Sequence, residues 1–275
     1  MFGEYIDYHL LRPCAVDTRE PRAPRPQTRT WYAPQLTRFL EHFQGRVSIS
    51  GRRVLDVGCG DGTLAIEMAK AGAAHVLGLD INDRLIDDCK TRLSEESSEV
   101  QDRTRFAVQS IHDCKDSDFD LVVSRCAFEH IEAPEQFLQS MVSLLSPQGL
   151  FAAQWGPAFH SPFGDHQWKH FSFHIPYRCL LFNEKAMLRI RREFYDSKQT
   201  ARCWEDLNLN RLRYSDYAAA CRRTGLDILL LQPNTTPVRS PLLKYAIWTA
   251  NRLVGASRLA DYIAHAPVSL LRKAK

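Results

Sequence analysis

The sequence has 275 residues, of which 44% are hydrophobic and 25% charged, proportions typical of a globular protein with a sizeable core. The formal net charge of +4 is mild and its basic residues are spread out, which argues against a nucleic-acid-binding protein. The eight cysteines include no Cys-x-x-Cys pair, so we expect free thiols in a cytoplasmic protein. We find no signal-peptide pattern, and no apolar run reaches the roughly 18 residues of a membrane span.

The chain begins with an arginine- and proline-rich stretch, which predicts an irregular N-terminal arm over residues 1–31. From residue 32, apolar side chains recur at helical spacing and predict a leading helix over 32–43. Five short apolar strands then alternate with amphipathic helices up to residue 154. We expect Asn82 to cap one of these helices and Pro134 to lie in the first turn of another. This alternation predicts an α/β fold with a parallel sheet covered on both faces.

Residues 155–212 interrupt this pattern with a segment rich in histidine and aromatic residues, followed by a basic helix near 184–194. The segment is too long for an ordinary loop, so it is either a functional lid or a misread element. In residues 213–275 we expect the C-terminal part of the core, with a helix capped by Ser215, a strand, a helical insertion over 239–260 and a last strand. The apolar stretch within that insertion leaves a membrane surface or a second subunit open as a partner.

The turn after the first strand is the most informative part of the sequence and reads Asp56-Val57-Gly58-Cys59-Gly60-Asp61-Gly62-Thr63. Glycines permit positive φ angles and let the backbone approach a ligand closely. A dinucleotide-binding turn has the spacing Gly-x-Gly-x-x-Gly, whereas the third glycine here comes one residue earlier. The carboxylates of Asp56 and Asp61 would repel a pyrophosphate and suit a ligand that carries an amino group. The turn therefore argues against NAD.

This turn resembles the first motif of the class I S-adenosylmethionine (SAM)-dependent methyltransferases, Asp-x-Gly-x-Gly-x-Gly, and is most similar to type 11 methyltransferases. The resemblance covers residues 35–155 well and 213–273 more loosely. It implies a Rossmann-like, seven-stranded and mostly parallel sheet with helices on both faces and an inserted lid after strand five. It also implies that the protein is an enzyme with SAM as its cofactor.

The resemblance implies a cofactor site as well. Asp80, at the end of the second strand, would accept hydrogen bonds from both ribose hydroxyls, and Ile81 would pack on the adenine. Ser110 and Ile111 fall roughly where the family contacts the adenine, although the family's acidic residue is missing there. The predicted cofactor-binding residues are Asp56, Gly58, Cys59, Gly60, Asp61, Asp80, Ile81, Ser110 and Ile111. We interpret Cys59 as a small turn residue rather than a nucleophile.

Histidines concentrate after the fifth strand, where folds of this type bind ligands. A hydroxyl acceptor must lose a proton, and histidine suits that task because its pKa of about 6.5 lies near the working pH. We predict His166 or His170 as the general base, with His130 as a further candidate. The surrounding aromatic residues, Trp155, Phe163, Trp168 and Phe171, are expected to line the pocket. A metal bound by histidines at four-residue spacing would need a long helix, which the nearby prolines oppose, so we expect no metal.

The leading hypothesis is O-methylation of a small molecule, sugar or other glycan, or secondary metabolite in a biosynthetic pathway. N- or C-methylation of a small molecule and a non-catalytic SAM-binding regulatory protein remain alternatives. A nicotinamide-dependent oxidoreductase is disfavoured by the glycine spacing. We expect no nucleic-acid partner, and the sequence is compatible with a monomer or a homodimer.

Overall fold

The computed structural model describes residues 2–15, 35–167, 171–172, 175–195, 200–234, 241–255 and 257–274. Within these ranges the chain forms one seven-stranded sheet in the order β3-β2-β1-β4-β5-β7-β6. The strands are β1 (Arg53–Val57), β2 (His75–Asp80), β3 (Thr104–Val108), β4 (Phe119–Arg125), β5 (Leu145–Gln154), β6 (Asp227–Gln232) and β7 (Val268–Arg272). In this sheet β7 pairs antiparallel with β5 and β6, and the other strand pairs are parallel. The predicted seven-stranded, mostly parallel Rossmann-like sheet is therefore confirmed.

Helices cover both faces of the sheet because its strands are apolar on both sides. The helices are α1 (Phe2–Leu11), α2 (Gln35–Glu41), α3 (Thr63–Lys70), α4 (Asp83–Ser94), α5 (Ser98–Arg103), α6 (Pro134–Ser143), α7 (Arg178–Leu181), α8 (Glu184–Phe194), α9 (Tyr214–Arg223) and α10 (Pro241–Val254). One buried cluster packs the sheet against α2 and α3, and a second packs it against α6 and α9. This two-sided burial explains the nearly continuous apolar strands of the sequence.

Local capping chemistry sets several helix ends. The Asn82 side chain accepts hydrogen bonds from the backbone N–H groups of Arg84 and Leu85, as the sequence predicted. Pro134 occupies the first turn of α6, also as predicted. The expectation for Ser215 was wrong, because α9 begins one residue earlier, at Tyr214. The Ser215 hydroxyl instead donates to the buried carboxylate of Asp261, 2.9 Å away.

The N-terminal residues differ from the irregular arm predicted over 1–31, because residues 2–11 form α1. The proline-rich part lies outside the described residues, whereas α1 precedes it and has two apolar side chains, Tyr8 and Leu11, buried against α8. The Tyr8 hydroxyl also donates a hydrogen bond to Glu193 at the end of α8. Together, α1 and the segment after β5 form a third buried cluster, separate from the two on the sheet. The lid predicted after strand five is therefore packed against the start of the chain.

The connection between β6 and β7 is long and contains α10. In the described part of this helix Tyr245, Trp248 and Leu253 are exposed, with Arg252 placed over the Trp248 ring. Asn251 attaches its C-terminal end to the backbone of Asn234, 2.6 Å away. A search of the described residues for helices able to span a membrane finds none. The helical insertion predicted over 239–260 is thus shorter and lies on the surface.

Gly62, which precedes α3, has a φ of +75°, and a Cβ there would lie 2.8 Å from both Cys89 Sγ and Phe106 Cζ. We expect Gly62→Ala to lower the free energy of unfolding by about 2–4 kcal/mol, from left-handed strain plus overpacking. Gly225 is a matched control, because its φ is +73° and a Cβ there would meet no atom within 4 Å. Gly225→Ala should lower the free energy of unfolding by only about 1–2 kcal/mol. Equal losses in urea-unfolding measurements would show that the space around Gly62 plays no part.

Candidate active site

The glycine turn lies between β1 and α3 at the carboxyl edge of the sheet. Gly58, Gly60 and Gly62 all have positive φ angles, between 56° and 75°. A Cβ on Gly58 would lie 2.9 Å from the Ala127 side chain, so the turn passes very close to the chain that follows β4. Glycine is therefore required here by backbone conformation and by space.

Asp80 ends β2 directly beside this turn. Its Oδ2 accepts a hydrogen bond from the Gly60 N–H at 3.0 Å, and its Oδ1 accepts one from the Asn82 N–H at 2.9 Å. The carboxylate is thus held in a fixed orientation while the residue stays partly open to solvent. A carboxylate oxygen can accept more than one hydrogen bond, so these contacts leave acceptor capacity for a ligand. The structure brings the predicted ribose-binding carboxylate to the glycine turn.

Asp56 lies underneath the turn, with only 1% of its surface exposed. Burial raises the pKa of this carboxyl to about 7, and the positive charge of Arg125 partly offsets the rise. Its Oδ2 has no hydrogen-bond partner among the described residues. A buried, unsatisfied oxygen of this kind is costly unless a ligand or solvent molecule reaches it. Asp56 therefore fits a ligand that brings a hydrogen-bond donor to the turn, as an amino group would.

Asp61 and Cys59 have different surroundings within the same turn. The Asp61 carboxylate caps α3 through the Thr63 N–H at 3.2 Å and lies 3.4 Å from Arg92. Cys59 is buried beneath the turn, and its hydrogen bond with Cys89, together with burial, raises the pKa of its thiol above the usual range. The thiol therefore stays protonated, in agreement with the interpretation of Cys59 as a small turn residue.

Two exposed apolar side chains flank the predicted adenine position. Ile81 is 79% exposed just after β2, and Val108 is 50% exposed at the end of β3. Exposed aliphatic residues beside a polar turn offer a surface on which a flat ring can pack. Ser110 is only partly buried, whereas the Ile111 side chain is packed in the core. The prediction for Ile111 can therefore concern only its backbone. Val108 was missed because its strand pattern does not show which residue ends at the cleft.

A cleft lies beyond the ends of β4 and β5. It is lined by Glu129, Pro157, Phe159, Gly164, His166, Leu209, Asn210, Arg211 and Leu212. The residues between β4 and α6 form one wall, and the lid and the chain leading into α9 form the others. Asn210 ties these walls together by donating to the Phe128 and Ile131 carbonyls at 2.5 and 2.6 Å. The insertion after β5 thus contributes directly to this cleft.

His166 is the predicted base that lines this cleft. Its Nε2 lies 3.1 Å from the Pro157 carbonyl oxygen, and burial lowers the pKa of the ring below its usual value. The ring is therefore neutral at neutral pH, with the hydrogen on the nitrogen that faces the carbonyl. His130 is exposed, with its ring centroid 5.8 Å from that of His166, and its Nδ1 lies 2.7 Å from the Asn208 carbonyl oxygen. His170 lies outside the described residues.

Most of the expected aromatic lining is placed elsewhere. Trp155 and Phe171 are buried in two different clusters, and Phe163 packs near His265. Trp168 lies outside the described residues. The apolar wall is instead formed largely by Phe159, which the Arg211 guanidinium partly covers. The expectation was wrong for Trp155 and Phe171 because both complete the core, which the aromatic composition of the segment could not distinguish from a pocket wall.

Glu129 is the main residue of this cleft that the sequence analysis left without a role. It is 5% exposed, and its Oε2 has no hydrogen-bond partner among the described residues. Burial raises the pKa of the carboxyl to about 8. Its position in Glu129-His130-Ile131, just after a strand that ends at the ligand-binding edge, is the signal that could have identified it. No group of three metal-ligating side chains occurs in the described residues around it or elsewhere.

The raised pKa of Glu129 makes stability depend on pH. The carboxyl is protonated in the folded chain up to about pH 8, whereas the unfolded chain loses that proton near pH 4.5. Its contribution is therefore fully present below pH 4.5 and is lost as the pH rises towards 8. Because glutamine does not titrate, we expect Glu129→Gln to gain roughly 1–4 kcal/mol over wild type between pH 5 and pH 8. Urea unfolding at both pH values measures this, and an equal difference at both would contradict it.

Part of this chain is similar in sequence to known methyltransferases. Residues 48–161 match a family model described as a methyltransferase domain. A ubiquinone biosynthesis O-methyltransferase from Caulobacter sp. (strain K31) is 30% identical over 148 residues, which are 54% of this chain and 53% of that protein. The protein of the same name from Caulobacter vibrioides is 26% identical over 208 residues, covering 68% of this chain and 75% of that protein. The chain spans about half the length of the first of these relatives.

Solved structures share the architecture at low sequence identity. A phosphoethanolamine N-methyltransferase 2 from Haemonchus contortus, in complex with SAM, aligns with a TM-score of 0.57 at 16% identity, covering 88% of this chain and 52% of that chain. A SAM-dependent methyltransferase from Mesorhizobium loti aligns with a TM-score of 0.50 at 14% identity, covering 85% of this chain and 96% of that one. At such identities the likeness concerns the fold alone.

Proposed function

We propose that this chain, whose residues 48–161 match a methyltransferase-domain model, is a class I SAM-dependent methyltransferase that transfers the methyl group of SAM to an oxygen atom of a small molecule. The observation that carries the proposal is the Asp80 carboxylate held 3.0 Å from the Gly60 N–H. This contact supports the proposal because it holds a carboxylate with spare acceptor capacity beside a glycine turn that also contains a buried, unsatisfied carboxyl. The names of the relatives give coarse support for oxygen as the acceptor atom.

SAM supplies a methyl group on a positively charged sulfur, so the protein has mainly to orient the acceptor and remove its proton. We assign proton removal to His166, because its neutral ring lines the cleft beyond β4 and β5. The carboxyl of Glu129, protonated at neutral pH, can donate a hydrogen bond that orients the acceptor. Phe159 and Leu209 provide the apolar walls on which a carbon skeleton would pack.

The acceptor we favour is a hydroxyl-bearing small molecule, sugar or secondary metabolite. The lining of the cleft mixes apolar walls with a few polar groups, as the lining of small-molecule sites does. We also propose that the protein works in the cytoplasm, because its eight cysteines are free thiols. A sedimentation measurement distinguishes a monomer from a homodimer.

Two measurements together test the proposal. Calorimetric titration with S-adenosylhomocysteine, the product form of the cofactor, should show one site per chain. Incubation with methyl-labelled SAM and a panel of phenols, catechols, sugars and amines should label a hydroxyl-bearing compound. Absence of S-adenosylhomocysteine binding would overturn the assignment. Binding without transfer to any compound would favour the non-catalytic alternative, and labelled amines alone would favour N-methylation.

A further inference from the structure

The amino-acid end of SAM is a zwitterion, and the glycine turn accounts for only one of its charges. The carboxylates of Asp56, Asp61 and Asp80 suit the ammonium group and the ribose hydroxyls but would repel the carboxylate of the ligand. The backbone N–H groups at the start of α3, the usual alternative for an anion, are partly taken, because Asp61 already accepts from Thr63. A positively charged side chain is therefore needed near the turn.

Arg125 is placed to meet this need. It is the last residue of β4, and the preceding Ser124 pairs with Val57, the residue just before Gly58. The guanidinium therefore starts from the same sheet edge as the glycine turn. It is only partly exposed, and its Nη1 donates a hydrogen bond to the side-chain oxygen of Gln35 at the start of α2.

The electrostatic surroundings of Arg125 leave its charge incompletely balanced. In the described part of the chain, no carboxylate forms an ion pair with it within 4 Å, and its hydrogen-bond partner is a neutral amide. Its charge nevertheless acts on Asp56 below the turn and on Glu67 of α3. Glu67 in turn accepts a hydrogen bond from the Leu36 N–H at 2.6 Å and so holds the start of α2 in place. Arg92, by comparison, already lies 3.4 Å from Asp61.

We propose that Arg125, oriented by Gln35, binds the carboxylate of the methionine part of SAM. This inference rests on the proposed function, because it concerns the same cofactor. Arginine suits the task, since its planar fork matches both oxygens of a carboxylate. The amino-acid end of the ligand would then lie between Arg125 on one side and the Asp56 carboxyl under the turn on the other.

Two ligands that differ only in the carboxylate provide the test. Calorimetry would compare S-adenosylhomocysteine with its decarboxylated form, S-adenosyl-3-thiopropylamine, on wild type, Arg125→Met and Arg125→Lys. We expect wild type to prefer S-adenosylhomocysteine by about 10- to 100-fold. Arg125→Met should lose this preference by binding S-adenosylhomocysteine more weakly, while its affinity for the decarboxylated form changes less than about threefold. Arg125→Lys should retain part of the preference.

Arg103→Met is the control, since Arg103 precedes β3 at the opposite edge of the sheet and carries the same charge. It should leave both affinities unchanged. Equal affinity of wild type for the two ligands would overturn the inference without any variant. A preference that survives in Arg125→Met, or equal weakening of both ligands, would also overturn it, the latter indicating a structural role. If wild type binds neither ligand, the proposed function itself fails.

Discussion

We expect Asp80→Ala to weaken binding of S-adenosylhomocysteine by at least about 100-fold, enough to abolish the rise in melting temperature that this ligand causes in wild type. The carboxylate would accept two hydrogen bonds from the ribose hydroxyls, and each bond to a charged group contributes roughly 1.5–3 kcal/mol. It also accepts from the Gly60 N–H, so its removal leaves the glycine turn without one of its supports. Both effects act on the same ligand.

Asp83→Ala provides the control for this experiment. Asp83 is an exposed carboxylate three residues further on, in the first turn of α4, and its side chain accepts only from the neighbouring Arg84 N–H among the hydrogen bonds of the described residues. The Asp83→Ala variant should bind S-adenosylhomocysteine with the affinity of wild type. Asp80→Asn separates support of the glycine turn from ribose binding. Its amide keeps one acceptor oxygen, which can still accept from the Gly60 N–H but not from both ribose hydroxyls as well. If Asp80→Ala bound the ligand within threefold of wild type, the ribose assignment would be wrong.

The second large effect concerns His166. We expect His166→Gln to reduce kcat for a hydroxyl acceptor by about 100- to 10,000-fold while leaving the affinity for S-adenosylhomocysteine within about threefold of wild type. The reason is that proton removal from the acceptor is lost while the glycine turn is untouched. His75→Gln is the control, since His75 is exposed at the start of β2, at the opposite edge of the sheet.

The pH dependence gives an independent reading. The base must be neutral to accept a proton, and burial lowers the pKa of His166. Protonation of His166 should therefore reduce the wild-type rate only below about pH 6.5, whereas ionisation of Glu129, with a pKa of about 8, should reduce it as the pH rises towards 8. Comparing His166→Gln with His130→Gln and His170→Gln identifies which of the three histidines is responsible. A rate unchanged in His166→Gln and lost in one of the others would move the role to that residue.

The geometry around the glycine turn was largely predictable from the sequence. Strand, turn and helix follow one another between residues 53 and 70, and the glycine spacing within that stretch restricts both backbone and ligand. Asp80 could be placed beside the turn because the carboxyl ends of adjacent parallel strands meet at one edge of a sheet. These features are local in sequence or fixed by parallel pairing.

The cleft beyond β4 and β5 was predicted only in outline. Glu129 and Leu209 line one cleft although they are 80 residues apart, and no periodicity in the sequence relates them. Trp155 could not be distinguished from a pocket residue because a large aromatic side chain is equally suited to a core. The helix α1 was missed because the arginines and prolines that follow it dominated the composition of the first 31 residues.

The division of the apolar interior into separate clusters has a consequence for how specificity can change. The cluster that joins α1 to α8 shares no buried residue with either cluster on the sheet. Mutations within this third cluster therefore spare the packing of the strands that carry the glycine turn. On the proposed function, a lineage could thus exchange one acceptor for another by altering this cluster while keeping its methyl donor, and directed evolution could begin from the same residues.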